Sequence, residues 1–278
     1  MKYLKIKQIA TSLLVVAISF AFTQCKNTTK GAKEDVQNIE TKTKNEVSKT
    51  ENEAKTSYAN DKMYFDYKID LAKISLDIED AKAHFILDND KTKAEADLDK
   101  AEKHLSKIEK YSDNDYHNFT TKMKSDIKDA KQSIKNDDKT TKGKLEELSN
   151  SFSSEISKLD AKVNNEKTNI SADSKRHYAE LRAKEYLLKA KLAVDKKETY
   201  AKADEYLDKA DKEYVKAKQY GSEKYKANIE DLRKDIKSAK KSIQAKGKDA
   251  KKEVNKVITK LGSYSEQTYV DYPYIIIP

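Results

Sequence analysis

Few side chains in this 278-residue chain are of types that do chemistry. There are four histidines, His84, His104, His117 and His177, and no two fall four residues apart or in an HExxH arrangement. Without such spacing a helix cannot present two imidazoles to one metal ion. No GxGxxG or GxxxxGK[ST] loop occurs, and five scattered glycines build no backbone cradle for a phosphate. Acid pairs such as Glu146-Glu147 are abundant, but a heavily charged helix produces them for solvation. These observations predict a chain with no catalytic residues, no metal and no cofactor, and so not an enzyme. Two features remain. Cys25 is the sole thiol, which rules out an internal disulfide framework. Lys237, Lys240, Lys241, Lys248, Lys251 and Lys252 cluster near the C-terminal end against Asp249 and Glu253. That strip is either a solvated helix face or a site for polyanions such as lipopolysaccharide or, less favoured, nucleic acid.

Cys25 lies directly behind the only long apolar run, Ile9 to Phe22, which follows Lys2, Lys5 and Lys7. A basic start, a short apolar core and a junction are the marks of a secretory signal, and the run is too short for a spanning helix. Phe22-Thr23-Gln24-Cys25 resembles the lipobox of bacterial lipoproteins, with Gln24 where that family usually has a small residue. The resemblance implies cleavage before Cys25 and acylation (palmitate among the chains) of its thiol; an ordinary cut near Ala21 is the alternative. By the same resemblance Lys26, in place of an Asp, implies the outer membrane of a Gram-negative envelope, facing the periplasm or the exterior. The net charge of +9 falls to about +6 once the three signal lysines are removed.

The rest must be built from helices. Charged residues make up 38 % of the chain, and both prolines, Pro273 and Pro278, sit in the last six residues. Such a composition suits narrow apolar seams between long helices. Residues 25–61 carry few apolar side chains and read as a tether or a weak coiled coil. Beyond them Tyr67, Leu71, Ile74, Ile78, Ala81 and Phe85 recur at helical spacing, and Asp88-Asn89-Asp90 stops that helix. Ala94, Leu98, Ala101, Leu105 and Ile108 form a second seam. A third runs from Met123 through Ile134 and keeps its phase to Val163; Gly143 or Asp137-Asp138 could break it, with one long helix slightly preferred.

The pattern returns in the second half of the chain at a constant offset. Leu98-Asp99-Lys100-Ala101 recurs as Leu207-Asp208-Lys209-Ala210, and Asp126-Ile127-Lys128 as Asp235-Ile236-Lys237. The predicted fold is all-α, with two tandem three-helix repeats of about 109 residues, bundle-like or coiled-coil, after a signal and a tether. The boundaries are 1–24 signal, 25–61 tether, 62–165 and 166–262 repeats, and 263–278 an apolar tail, with the last helix stopping at Gly262. Unit size and helix order resemble spectrin-type repeats, whose characteristic Trp is missing here. Asp77-Ile78-Glu79-Asp80-Ala81 followed by Ala94, Leu98, Ala101 and Leu105 resembles the YfdX family of bacterial envelope-stress proteins.

The functional expectation is a non-enzymatic envelope lipoprotein acting as spacer, scaffold or adhesin. It would be held to the membrane by its lipid and bind an unidentified envelope or extracellular protein, or itself through its helices. The YfdX resemblance implies an alternative, a periplasmic stress-response holdase. The lysine strip suggests another, a polyanion binder.

Overall fold

A computed structural model describes residues 48–49, 62–109, 114–162, 170–195 and 199–269. The signal, Cys25, the tether apart from residues 48–49, the joint at 163–169 and the tail from 270 onward lie outside the described residues. Residues 61–278 form one compact unit.

The described residues are helical, with eight helices and no strand. They are α1 (62–86), α2 (Lys91–Ile108), α3 (Asn114–Lys135), α4 (Thr141–Lys162), α5 (Ala172–Ala193), α6 (Tyr200–Lys218), α7 (Glu223–Gln244) and α8 (Ala250–Tyr269). Helix starts at 91, 114 and 141 recur at 200, 223 and 250, an offset of 109 each time. Local chemistry sets these starts. Asp90, Ser171 and Ser222 each accept the backbone N–H three residues on, satisfying a donor that the first turn leaves open. Gly221 stands before Ser222 because a Cβ there would collide with the Tyr225 ring.

The long third helix is in fact two, so each half of the helical array holds four helices rather than three. α3 ends at a left-handed Asp137 (φ 56°) and α7 at a left-handed Lys246 (φ 50°), equivalent positions of the two halves. At the first break the N–H of Asp138 donates to the Ser133 carbonyl and that of Asp137 to the Ile134 carbonyl. At the second, Gly247 donates to Ser242 and Lys246 to Ile243. This pair of bonds closes a helix C-terminus whatever the side chains are. Ile134 and Leu145, the seam residues on either side, are eleven apart, three full turns, so the apolar phase runs through the break unseen. Gly143 is not the breaker; it lies in the first turn of α4 with open space around it. Gly262 does not stop the last helix either, because α8 continues to Tyr269.

The seams are buried as their spacing demands. Leu71, Ile74, Ile78, Ala94, Leu98, Ala101, Ile127, Ala130, Leu145 and Phe152 form the first core. Ala183, Leu187, Ala203, Leu207, Ala210, Tyr214, Ile236, Ala239, Val254 and Val257 form the second. The first core extends onto α5 through Tyr178 and Leu181, so α5 serves both quartets of helices. Its neighbour Phe65 meets Tyr178 edge-to-face at 5.8 Å.

Candidate functional site

The chemically loaded part of the unit is the contact of α5 with α1 and α4. Lys68, Glu79 and Lys82 come from α1, and Arg182, Glu185 and Lys189 from α5. Lys68, Glu79 and Glu185 are 0 % exposed, an expensive place for charge unless each is paired. The pairs are present. Glu185 is bound by Arg182 and by Lys189 Nζ at 2.7 Å. Glu79 accepts from the Ser149 hydroxyl of α4, is met by Lys82 at 3.2 Å, and lies 3.8 Å from Lys189. Lys82 also reaches Glu146 of α4 at 2.9 Å. Three cations thus face three carboxylates. Arg182 further donates to the Tyr186 hydroxyl at 2.7 Å and lies over its ring.

Electrostatics fixes the protonation states. Burial opposes ionisation of Glu185, yet Arg182 and then Lys189 outweigh it and hold the carboxyl below its usual range. Burial likewise opposes the Lys189 ammonium, but Glu185 and Glu79 raise it. This matters because Lys189 Nζ donates to the Ser153 hydroxyl at 2.7 Å, a serine–lysine pair of the kind that can activate a nucleophile. An ammonium held between two carboxylates cannot take the serine's proton, so the pair is built as a strut.

A second buried cation lies toward the start of α1. Lys68 Nζ meets Asp160 of α4 at 2.5 Å and stands 4.3 Å from the Tyr178 ring centroid. Tyr178 donates its hydroxyl to the same Asp160 at 2.9 Å. Burial lowers the Lys68 pKa and Asp160 partly restores it.

The hairpin of α1 and α2 carries the third cluster. His84 Nδ1 is 2.6 Å from Asp97, and His104 Nδ1 is 2.9 Å from Asp77. These imidazoles link the two helices. Asp80 lies among them with its carboxyl pushed up to about 6 by burial, then by Asp97 and Asp77. His177 on α5 is pushed down to about 4 by burial and by Lys73, Lys184 and Arg176. His117 is exposed on α3. Among the described residues no three His, Cys, Asp or Glu side chains are placed to hold a metal ion.

The lysine strip divides. Lys240 is paired with Asp208, and Lys251 with Asp195 at 2.6 Å. Lys237, Lys241, Lys248 and Lys252 stay exposed on α7, on α8 and on the turn between them. Cys25 lies outside the described residues. Sequence reasoning missed the α1–α4–α5 network. Its one advance signal was α5 itself, in which Arg182, Glu185 and Lys189 fall at 3-4 spacing, as buried positions do. No helix among the described residues is long and apolar enough to cross a membrane. No protein-family model matches the chain, and no curated protein or solved structure matches it.

Proposed function

We propose that this chain is a lipid-anchored, non-catalytic protein of a bacterial cell envelope, and that its duplicated helical unit is a scaffold or binding module held off the membrane. One observation carries the reading. Cys25 closes the only long apolar run, and residues 26–60 separate it from the compact unit that begins at Asp61. That is the layout of an anchor, a spacer and a displayed domain. Helix starts that recur at one constant offset support the duplication. The ion pairs around Glu79 and Glu185 support a rigid element, since each charge meets a charge of its own or a neighbouring helix rather than being aimed at a substrate.

The test is radiolabelled palmitate fed to cells producing the full chain. The expected result is label in the wild type and in the membrane fraction, both lost in Cys25→Ala. Equal labelling of the two proteins would overturn the anchor. A pull-down from intact envelope with the anchored form then identifies the partner; recovery of no envelope protein above the Cys25→Ala background would leave a spacer role only.

A further inference from the structure

The two quartets of helices share a scaffold but not a surface. Residues 109–153, spanning α3 and the start of α4, hold nine Lys and Arg against nine Asp and Glu. The equivalent segment of the second quartet, 218–262, holds fourteen against six, a net charge of +8. The buried positions stay apolar. Met123, Ile127, Ala130, Ile134, Leu145 and Leu148 are buried in one segment, and Leu232, Ile236, Ala239, Ile243, Val254 and Val257 in the other. Solvating such a pair of helices needs charge but not one sign of charge, as α3 and α4 demonstrate. Several positions reverse outright: Asp115, Asp137 and Glu147 stand where the later segment has Lys224, Lys246 and Lys256.

We propose that the outward face of α7, the α7–α8 turn and the first turn of α8 form a docking surface for the anionic headgroups of a phospholipid bilayer. The proposal rests on the reading of the chain as held at an envelope membrane.

Six lysines define the surface: Lys234, Lys237, Lys241, Lys246, Lys248 and Lys252. All are exposed, and none makes an ion pair among the described residues. By contrast Lys240, Lys251, Lys256 and Lys260 are neutralised by Asp208, Asp195, Asp235 and Asp231. Lys234, Lys237 and Lys241 follow 3-4 spacing, which sets them on the side of α7 opposite Leu232, Ile236, Ala239 and Ile243.

The strip contains neither Arg nor an aromatic residue. It therefore lacks the flat groups on which nucleic-acid bases stack and the forked donors that grip a phosphate bidentately. Mobile ammonium groups on a convex helix face suit a plane of phosphates, where each lysine close to the surface strengthens binding about fivefold. Residues 26–60, however arranged, keep the unit within about 120 Å of a bilayer that holds Cys25.

The experiment is co-sedimentation of the full chain carrying Cys25→Ser, so that no acyl chain contributes. One set of vesicles is phosphatidylcholine alone, and the other adds phosphatidylglycerol. The expected result is binding that requires phosphatidylglycerol and collapses as NaCl rises from about 0.05 to about 0.5 M, where screening shortens to a few ångströms. The variant Lys237→Glu/Lys241→Glu/Lys248→Glu/Lys252→Glu should lose at least about a hundredfold. Lys128→Glu/Lys139→Glu/Lys142→Glu, on the charge-balanced helices and the turn between them, should bind like the parent. Far-UV circular dichroism confirms that both variants keep their helices. Equal sedimentation with both vesicle types overturns the proposal, as does full binding by the four-lysine variant. Tighter, lysine-dependent retention of a DNA duplex than of vesicles also overturns it, in favour of nucleic acid. Palmitate labelling of the wild type succeeds or fails independently of all these outcomes.

Discussion

Replacing Glu185 by Gln keeps the shape of the side chain and removes a buried charge that two cations of the same helix neutralise. In the parent, this fully buried carboxylate holds Arg182 and, at 2.7 Å, Lys189. A glutamine can offer its oxygen to one of them and must turn an NH₂ toward the other. Removing one partner of a buried pair costs about 3–5 kcal/mol, because the remaining charge stays buried. The lower end applies here. Lys189 keeps Glu79 at 3.8 Å, and Arg182 keeps the Tyr186 hydroxyl at 2.7 Å. For a unit of this length about 3 kcal/mol corresponds to a fall in Tm of roughly 6–12 °C.

The assay is thermal and urea unfolding followed by circular dichroism at several pH values. Arg182 and Lys189 hold the Glu185 carboxyl below its usual range. Its contribution is therefore complete above the unfolded carboxyl pKa of about 4.3 and is lost as pH falls through the lower folded value. The gap between parent and variant should close in acid. A gap under about 1 kcal/mol at neutral pH, or one that persists unchanged in acid, would refute the assignment. The apolar pair Arg182→Met/Glu185→Leu is expected to recover much of the loss, since well-packed apolar groups often replace a buried ion pair at little cost.

Ala101→Phe and Ala210→Phe each force a ring into a seam where the alanine is 0 % exposed, and should cost about 1–3 kcal/mol in urea melts; unchanged midpoints would mean the seams are loose. Asp80, with its folded pKa raised to about 6, binds protons more readily folded than unfolded, so its contribution improves as pH falls from above 6 toward 4. Asp80→Asn should therefore stabilise at pH 8 and have little effect near pH 4; stabilisation that does not change with pH would contradict this. His177, with its folded pKa lowered to about 4, works in the other direction, losing stability as pH falls from about 6.5 toward 4, and His177→Gln should flatten that arm of the pH profile. Lys246→Gly relieves a left-handed residue at the end of α7 and should raise stability by about 0.5–1 kcal/mol; a lower Tm would show that Lys246 contributes something besides its backbone conformation.

The fold class could be read from the sequence because apolar spacing is a local property. Leu98, Ala101 and Leu105 announce a buried helix face wherever the helix packs, and Leu207, Ala210 and Tyr214 announce a second one. The stop at Asp88-Asn89-Asp90 was equally legible, since a capping side chain such as Asp90 acts within three residues. The helix breaks were not. They depend on left-handed backbone at Asp137 and Lys246, residues with no common chemistry, while the seam phase carries across. The candidate site was least legible of all. Glu79 finds Ser149 seventy residues away, and Lys68 finds Asp160 farther still.

The sequence by itself determined the seams, their recurrence, the anchor-like junction at Cys25 and the excess of lysine near the C-terminal end. Only the tertiary structure decided which charges are buried, that α5 joins both quartets, and that Lys240 and Lys251 are spent on aspartates while their neighbours are not. The reason is physical. Burial of an apolar face follows from periodicity along one helix. The state of a charge follows from which other helix is brought beside it.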